Sequence, residues 1–158
     1  MAFCGPDRRG ILSKTSRRGP LTDLNRLIKE NRLAEYSSPN LALGMRPVAF
    51  GGGTSQWLWE NQPPSTLNPF GTIQGGYATV LIDEMFSTAI ASVLEEGEWA
   101  MTAEIKVNFL RALSPERWQG NAHVLRRTRS LAFLEAKIFD QSGNIGVTAT
   151  STWAISRH

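Results

Sequence analysis

The chain has 158 residues, 41% hydrophobic and 20% charged, which suits one soluble domain with a sizeable core. Its net charge of +3 is uneven: residues 1–20 carry +4, from Arg8, Arg9, Lys14, Arg17 and Arg18 against Asp7, leaving −1 on the rest. A near-neutral body argues against nucleic-acid binding, no run of about 18 apolar residues can span a membrane, and one cysteine, Cys4, excludes an internal disulfide and a cysteine-based zinc site.

Residues 1–20 read as a basic flexible tail that can meet an anionic partner. The tail has no apolar segment of the secretory type. Gly5, Pro6, Gly10, Gly19 and Pro20 would also interrupt a transit-peptide helix, so a cytoplasmic location is the expectation. The remainder, 21–158, reads as a single domain. It begins with a helix over about residues 21–36, capped by Thr22 or Asp23, with Leu24, Leu27, Ile28 and Leu33 on one stripe. Ser37-Ser38-Pro39-Asn40 ends it.

From about Arg46 to Asn61 the pattern is strand, broken at Gly51-Gly52-Gly53 by a tight turn or bulge. Trp57 and Trp59 share a face there and are candidates for the core, a subunit interface or the lining of a ligand pocket. A loop over 62–74 leads to a long helix expected from Gly75 to Glu96, with Gly97 as its stop. Ala78, Leu81, Ile82, Met85, Phe86, Ala89 and Val93 form its apolar face. Asp83 lies off the centre of that face, and Glu84 turns toward a polar edge beside Thr88 and Glu95.

Four alternating strands follow. Met101, Ala103, Ile105, Val107 and Phe109 are expected to face the core, with Thr102 on the polar side. Next come Trp118 to Val124, Ala132 to Ile138 and Ile145 to Ile155, with a hairpin turn at Gln141–Asn144. The class is therefore α+β, an antiparallel sheet wrapped on one long central helix.

The most informative stretch is Asn68-Pro69-Phe70-Gly71-Thr72-Ile73-Gln74-Gly75-Gly76, running straight into the helix that holds Asp83. Glycines weaken a helix start but let another molecule approach the backbone. A carboxylate in an apolar helix is costly unless it is paired or used. A helix N-terminus offers free N–H groups and a positive dipole end, which suits an oxyanion. Gly75, helped by Gly76, is thus a candidate oxyanion hole, and Asp83 a candidate base or nucleophile. The bland readings are close packing for the glycines, a structural hydrogen bond for Asp83, and an Asx turn for Asn68. Glu84 is the alternative acid. Neither His123 nor His158 has partners at metal-ligand spacing, and no Gly-x-Ser-x-Gly elbow or phosphate loop occurs.

Asn68, Gly75-Gly76, Leu81-Ile82-Asp83 and the strand pattern through Phe109-Leu110 resemble the hotdog-fold acyl-CoA thioesterases, most closely the phenylacetate-pathway (PaaI-like) branch, over about residues 40–156. That branch usually reads His-Gly-Gly with an acid nine positions after the His. Here Gln74 stands in the His position and Asp83 keeps the spacing. The resemblance implies a homodimer or homotetramer whose active site joins Gly75 of one subunit to Asp83 of another. It implies Asn68 orienting water or thioester, Gln74 donating one hydrogen bond, and Thr102 beside the attacking water. It also implies CoA phosphates near the turn that carries Arg126, Arg127, Arg129 and Ser130. The substrate is then a small or medium acyl-CoA, aryl acyl groups included, with no cofactor and no metal. The other readings are a non-catalytic acyl-CoA-binding regulator and an acyl dehydratase or hydratase. The second of these normally needs a His, and the central helix has none.

Overall fold

The computed structural model describes residue 30 and residues 39–157. The tail at 1–20, the helix expected over 21–36 apart from Glu30, and His158 lie outside the described residues. A short helix α1 (Pro39–Ala42) leads into a hairpin of β1 (Met45–Gly51) and β2 (Thr54–Trp59). The turn between them uses Gly52 and Gly53 at positive φ, which is why the strand pattern breaks at the glycine triplet. The central helix α2 (Gly75–Ala91) follows, then β3 (Glu98–Phe109), β4 (Trp118–Arg127), β5 (Leu131–Asp140) and β6 (Ile145–Arg157).

The six strands form one sheet in the order β1-β2-β4-β5-β6-β3, antiparallel throughout. Helix α2 crosses one face of it, packed on β2, β3, β4 and β5. The expected apolar face of the helix is buried: Ala78, Leu81, Ile82, Met85, Phe86 and Ala89 meet Trp57, Trp118, Leu134 and Ile138. A Cβ on Gly120 would come within 2.4 Å of the Met85 sulfur, so the glycine lets the helix sit against β4.

The helix is shorter than the sequence suggested. It stops at Ala91, because the Ser92 hydroxyl donates back to Ala89 O (2.7 Å) and accepts the Gly53 amide (2.9 Å). That contact ties the chain to the hairpin turn before Glu95 and Glu96 can continue the helix. Their negative charge would also oppose the helix C-terminal dipole. Gly97, at φ +79°, instead turns the chain into β3.

The core reading of two tryptophans holds and one expectation changes. Trp57 Nε1 donates to Thr88 Oγ1 (3.1 Å) and Trp59 Nε1 to Leu43 O (2.9 Å), and both indoles are buried in the core. Thr88 is buried, and Glu84 is half-buried beside the side chain of Asn40. The edge expected to be solvated is therefore covered by β2 and α1.

Candidate active site

Helix α2 starts without a side-chain cap. Gln74 occupies the N-cap position, exposed, and its side chain makes no capping hydrogen bond. Its backbone amide is held by Thr66 O (2.8 Å) and the preceding Ile73 amide by Leu113 O (2.7 Å), which fixes the entry of the chain into the helix. The amides of Gly75 and Gly76 donate to no described residue. They are the unsatisfied donors that every helix start leaves. The two glycines differ, however. A Cβ on Gly75 would lie 2.9 Å from Phe109 Cζ, whereas Gly76 faces open space.

Asn68 is committed to its own loop. Its Oδ1 accepts the amides of Phe70 (2.9 Å) and Thr72 (3.2 Å), and its Nδ2 donates to Thr72 Oγ1 (2.7 Å). This is the Asx-turn reading of that residue. It makes the loop before Gly75 rigid, with Phe70 held 90% exposed at its tip.

Thr102 and Asp83 come together. The Thr102 hydroxyl donates to Asp83 Oδ1 at 2.8 Å. The alternation of β3 predicted Thr102 on the opposite side, and a bulge corrects it. The register of β3 with β6 shifts between Thr102 and Glu104, leaving Ala103 as the extra residue. Above the bulge Ala100 and Thr102 turn toward the helix, opposite the buried Ile155 and Trp153; below it Ile105 and Val107 do so. Met101 is thereby turned to the outer face of the sheet, 57% exposed, rather than into the core. One inserted residue aims the hydroxyl at the acid.

Glu84 shares the helix turn. Burial pushes its carboxyl above the usual range, the Asn40 hydrogen bond opposes that, and the charge of Asp83 adds to it. It faces α1 rather than β3, away from Thr102.

The basic cluster divides. Arg127 is locked: its guanidinium pairs with Glu98, and Glu95 lies 3.9 Å away. Arg157 pairs with the same two acids, and the Glu98 carboxyl falls below its usual range through the Glu95 amide and then Arg127. Arg126 and Arg129 have no acidic partner among the described residues. Arg129 and Ser130 join Glu98, Arg127 and Arg157 around an open cavity of about 830 Å³. Neither Gly75 nor Asp83 lines that cavity. Among the described residues no three His, Cys, Asp or Glu side chains are grouped to hold a metal, and no helix is long and apolar enough to cross a membrane.

Residues 70–147, which run from the Asn68 loop through α2 to β6, match the family described as the thioesterase superfamily. This stretch is a thioesterase-superfamily hotdog domain. The structure is also similar to a phenylacetic acid degradation-related protein from Ralstonia eutropha JMP134, at 25% identity over 83% of this chain and 98% of that one, with a TM-score of 0.69. A thioesterase from Pseudomonas aeruginosa, solved as a mutant, matches at 24% identity over 90% and 98%, TM-score 0.72. One from Haemophilus influenzae matches at 21% over 89% and 93%, TM-score 0.70. No curated protein matches the sequence. Six antiparallel strands around one long helix are the hotdog arrangement, and the family match supports thioester hydrolysis as the activity.

The sequence reading missed two features of the site: the Ala103 bulge and the Phe109 ring over Gly75. Neither had a signal along the chain: the bulge is known from the pairing of β3 with β6, and the Phe109 contact joins residues 34 positions apart.

Proposed function

We propose that this chain hydrolyses acyl-CoA thioesters with small or medium acyl groups, aryl groups included, to the free acid and CoA. The observation that carries the reading is the Thr102–Asp83 hydrogen bond on the helix side of β3; the N-terminus of the helix that holds Asp83 leaves the Gly75 and Gly76 amides without an acceptor among the described residues. In the proposed reaction a water held by Thr102 and Asp83 attacks the thioester carbonyl. Asp83 takes the proton, and the amide of Gly75 receives the developing oxyanion. Collapse of the intermediate breaks the C–S bond, and Asp83 returns the proton to the leaving thiolate. Gln74, at the helix start, is positioned to donate a further hydrogen bond. Asn68 serves by keeping its loop rigid. Arg126 and Arg129 are the cations left for the CoA phosphates, with Ser130 beside them, while Arg127 is spent on Glu98.

The spacing supports a site shared between two copies. Gly75 and Asp83 are eight residues apart on one helix, about 12 Å along its axis. A reacting carbon must lie roughly 3 Å from both the acid's water and the oxyanion donor. The reading therefore takes the oxyanion donor from one copy and the acid from a second. The edge strand β3, twelve residues long with one side unpaired, is the natural place for two copies to join. The reading is thus a homodimer at least, working in the cytoplasm without metal or cofactor.

The experiment is free-thiol release from a panel of acyl-CoAs, run on wild type and Asp83→Asn. Release by wild type that falls about 10²-fold or more in the variant is the expected result. Equal release by both would move the acid to Glu84. Tight acyl-CoA binding with no release from any substrate would replace the enzyme with a binding protein.

A further inference from the structure

The core face of β6 carries a hydroxyl that the proposed reaction does not use. Val147, Ala149, Ser151, Trp153 and Ile155 all point to the helix side and are all buried; four are apolar or aromatic, and Ser151 is not. The neighbours of Ser151 across the sheet are Leu134 on β5 and Ile105 on β3. A hydroxyl placed in such a row gives up water and must find a partner inside the protein. It finds one: Ser151 Oγ donates to Glu104 O at 2.5 Å.

That acceptor has a particular place in the strand. Glu104 is where pairing with β6 resumes after the extra residue Ala103. A bulge interrupts the ladder, so its own peptide units are held less firmly by inter-strand hydrogen bonds. The Ser151 bond ties the peptide after the bulge to β6 from the core side. Before the bulge, Thr102 is paired with Trp153, the next inward residue of β6. The bulge is thus bracketed by two successive inward positions of its partner strand, and Ala103 takes up the extra length between them. With both flanks fixed, the Thr102 hydroxyl reaches Asp83 Oδ1 at 2.8 Å.

We infer that Ser151 is a positioning residue: its hydroxyl holds the Ala103 bulge in the form that aims Thr102 at Asp83. The inference rests on the proposed function for its effect on rate, while the side-chain geometry it explains stands without that reading. Ser151 takes no part in bond making itself, because its proton is committed to Glu104. An alanine would fit the apolar row but leave the Glu104 carbonyl without this donor.

The test is a double-mutant cycle on the full-length chain: wild type, Ser151→Ala, Thr102→Val and the pair. Each is read by thiol release, by circular dichroism and, where Thr102 is kept, by the nuclear Overhauser contact between the Thr102 and Asp83 side chains. Ser151→Ala should lower kcat about fivefold with KM unchanged, within the span of one ordinary hydrogen bond. In the Thr102→Val background the same change should move kcat by less than about twofold, because the residue through which it acts is gone. The Overhauser contact should be present in wild type and weakened in Ser151→Ala, with unchanged dichroism. An unchanged kcat, or equal losses in the two backgrounds, overturns the inference, the second by making Ser151 a general structural residue. So does a contact that keeps its full strength in Ser151→Ala, or one absent from wild type. If wild type releases no thiol from any acyl-CoA, the proposed function falls and the Overhauser contact alone decides the inference. If Ser151→Ala does not fold, Ser151→Cys, close in volume and a weaker donor, decides by the same readouts.

Discussion

The two ends of helix α2 are built on opposite plans. At the N-terminal end the Gly75 and Gly76 amides have no acceptor among the described residues and the N-cap side chain does not cap. Exposed aromatic rings, Phe70 and Phe109, stand nearby. At the C-terminal end Ser92 is bonded twice, and Glu95 and Glu98 are shared between Arg127 and Arg157. One end leaves donors open in a rigid frame; the other closes its polar groups on each other. Capping residues and ion pairs are available to any helix, so leaving a start uncapped gives up stability. Such a departure is what a binding site produces. The contrast teaches where to look for ligand. The cavity of about 830 Å³ lies at the closed end, away from the open amides.

The comparison can be broken most severely at Gly75. Gly75→Val fills the space beside the free amide and pushes on Phe109, so turnover should fall about 10³-fold, the scale of losing an oxyanion donor. Gly76→Ala is the control. Its Cβ meets nothing, and the variant should fold with a stability equal to or up to about 1 kcal/mol above wild type in a denaturant titration. Full activity in Gly75→Val would show that the open amide is not the oxyanion site.

A smaller effect is expected from Thr102→Val. It removes the hydroxyl that meets Asp83 and keeps the shape, so kcat should drop about tenfold, the equivalent of one ordinary hydrogen bond. If kcat is unchanged, Thr102 is an ordinary strand residue and the bulge at Ala103 has another purpose.

The smallest catalytic effect belongs to the closed end. Glu98→Gln should leave kcat within about twofold while lowering the melting temperature at pH 7. The sign of its pH dependence follows from the direction of the shift. The Glu98 carboxyl is depressed in the folded protein, first by the Glu95 amide and then by Arg127. Its contribution is therefore present above the unfolded value of about 4.3 and is lost as pH falls through the lower folded one. Melting temperatures of wild type and variant should converge as pH drops below that range. A constant gap at all pH values would mean that Glu98 acts through packing rather than charge.

Much of this was legible in the chain. The glycine pair, the acid eight residues on and four alternating strands gave the helix, the sheet and the candidate site together. What escaped was positional. The Ala103 bulge reverses the phase of half of β3, and periodicity carried through without a break turns Thr102 the wrong way. Ser92 ends α2 through a partner on the β1–β2 turn, 39 residues away. Glu84 looked solvated because α1, which covers it, is too short to announce itself. The three arginines of the β4–β5 turn read alike, yet only tertiary contact decided that Arg127 is consumed by Glu98 while Arg126 and Arg129 are not.

The sequence by itself therefore determined which groups are present and how far apart they lie along each element. Those facts depend on local sterics and on a fixed rise per residue. The tertiary structure decided which groups face each other. Pairing across strands and helix-on-sheet packing join residues far apart in the chain, and a single inserted residue can invert a face. The partnership of Thr102 with Asp83 is of that second kind, and no pattern along the chain fixes it.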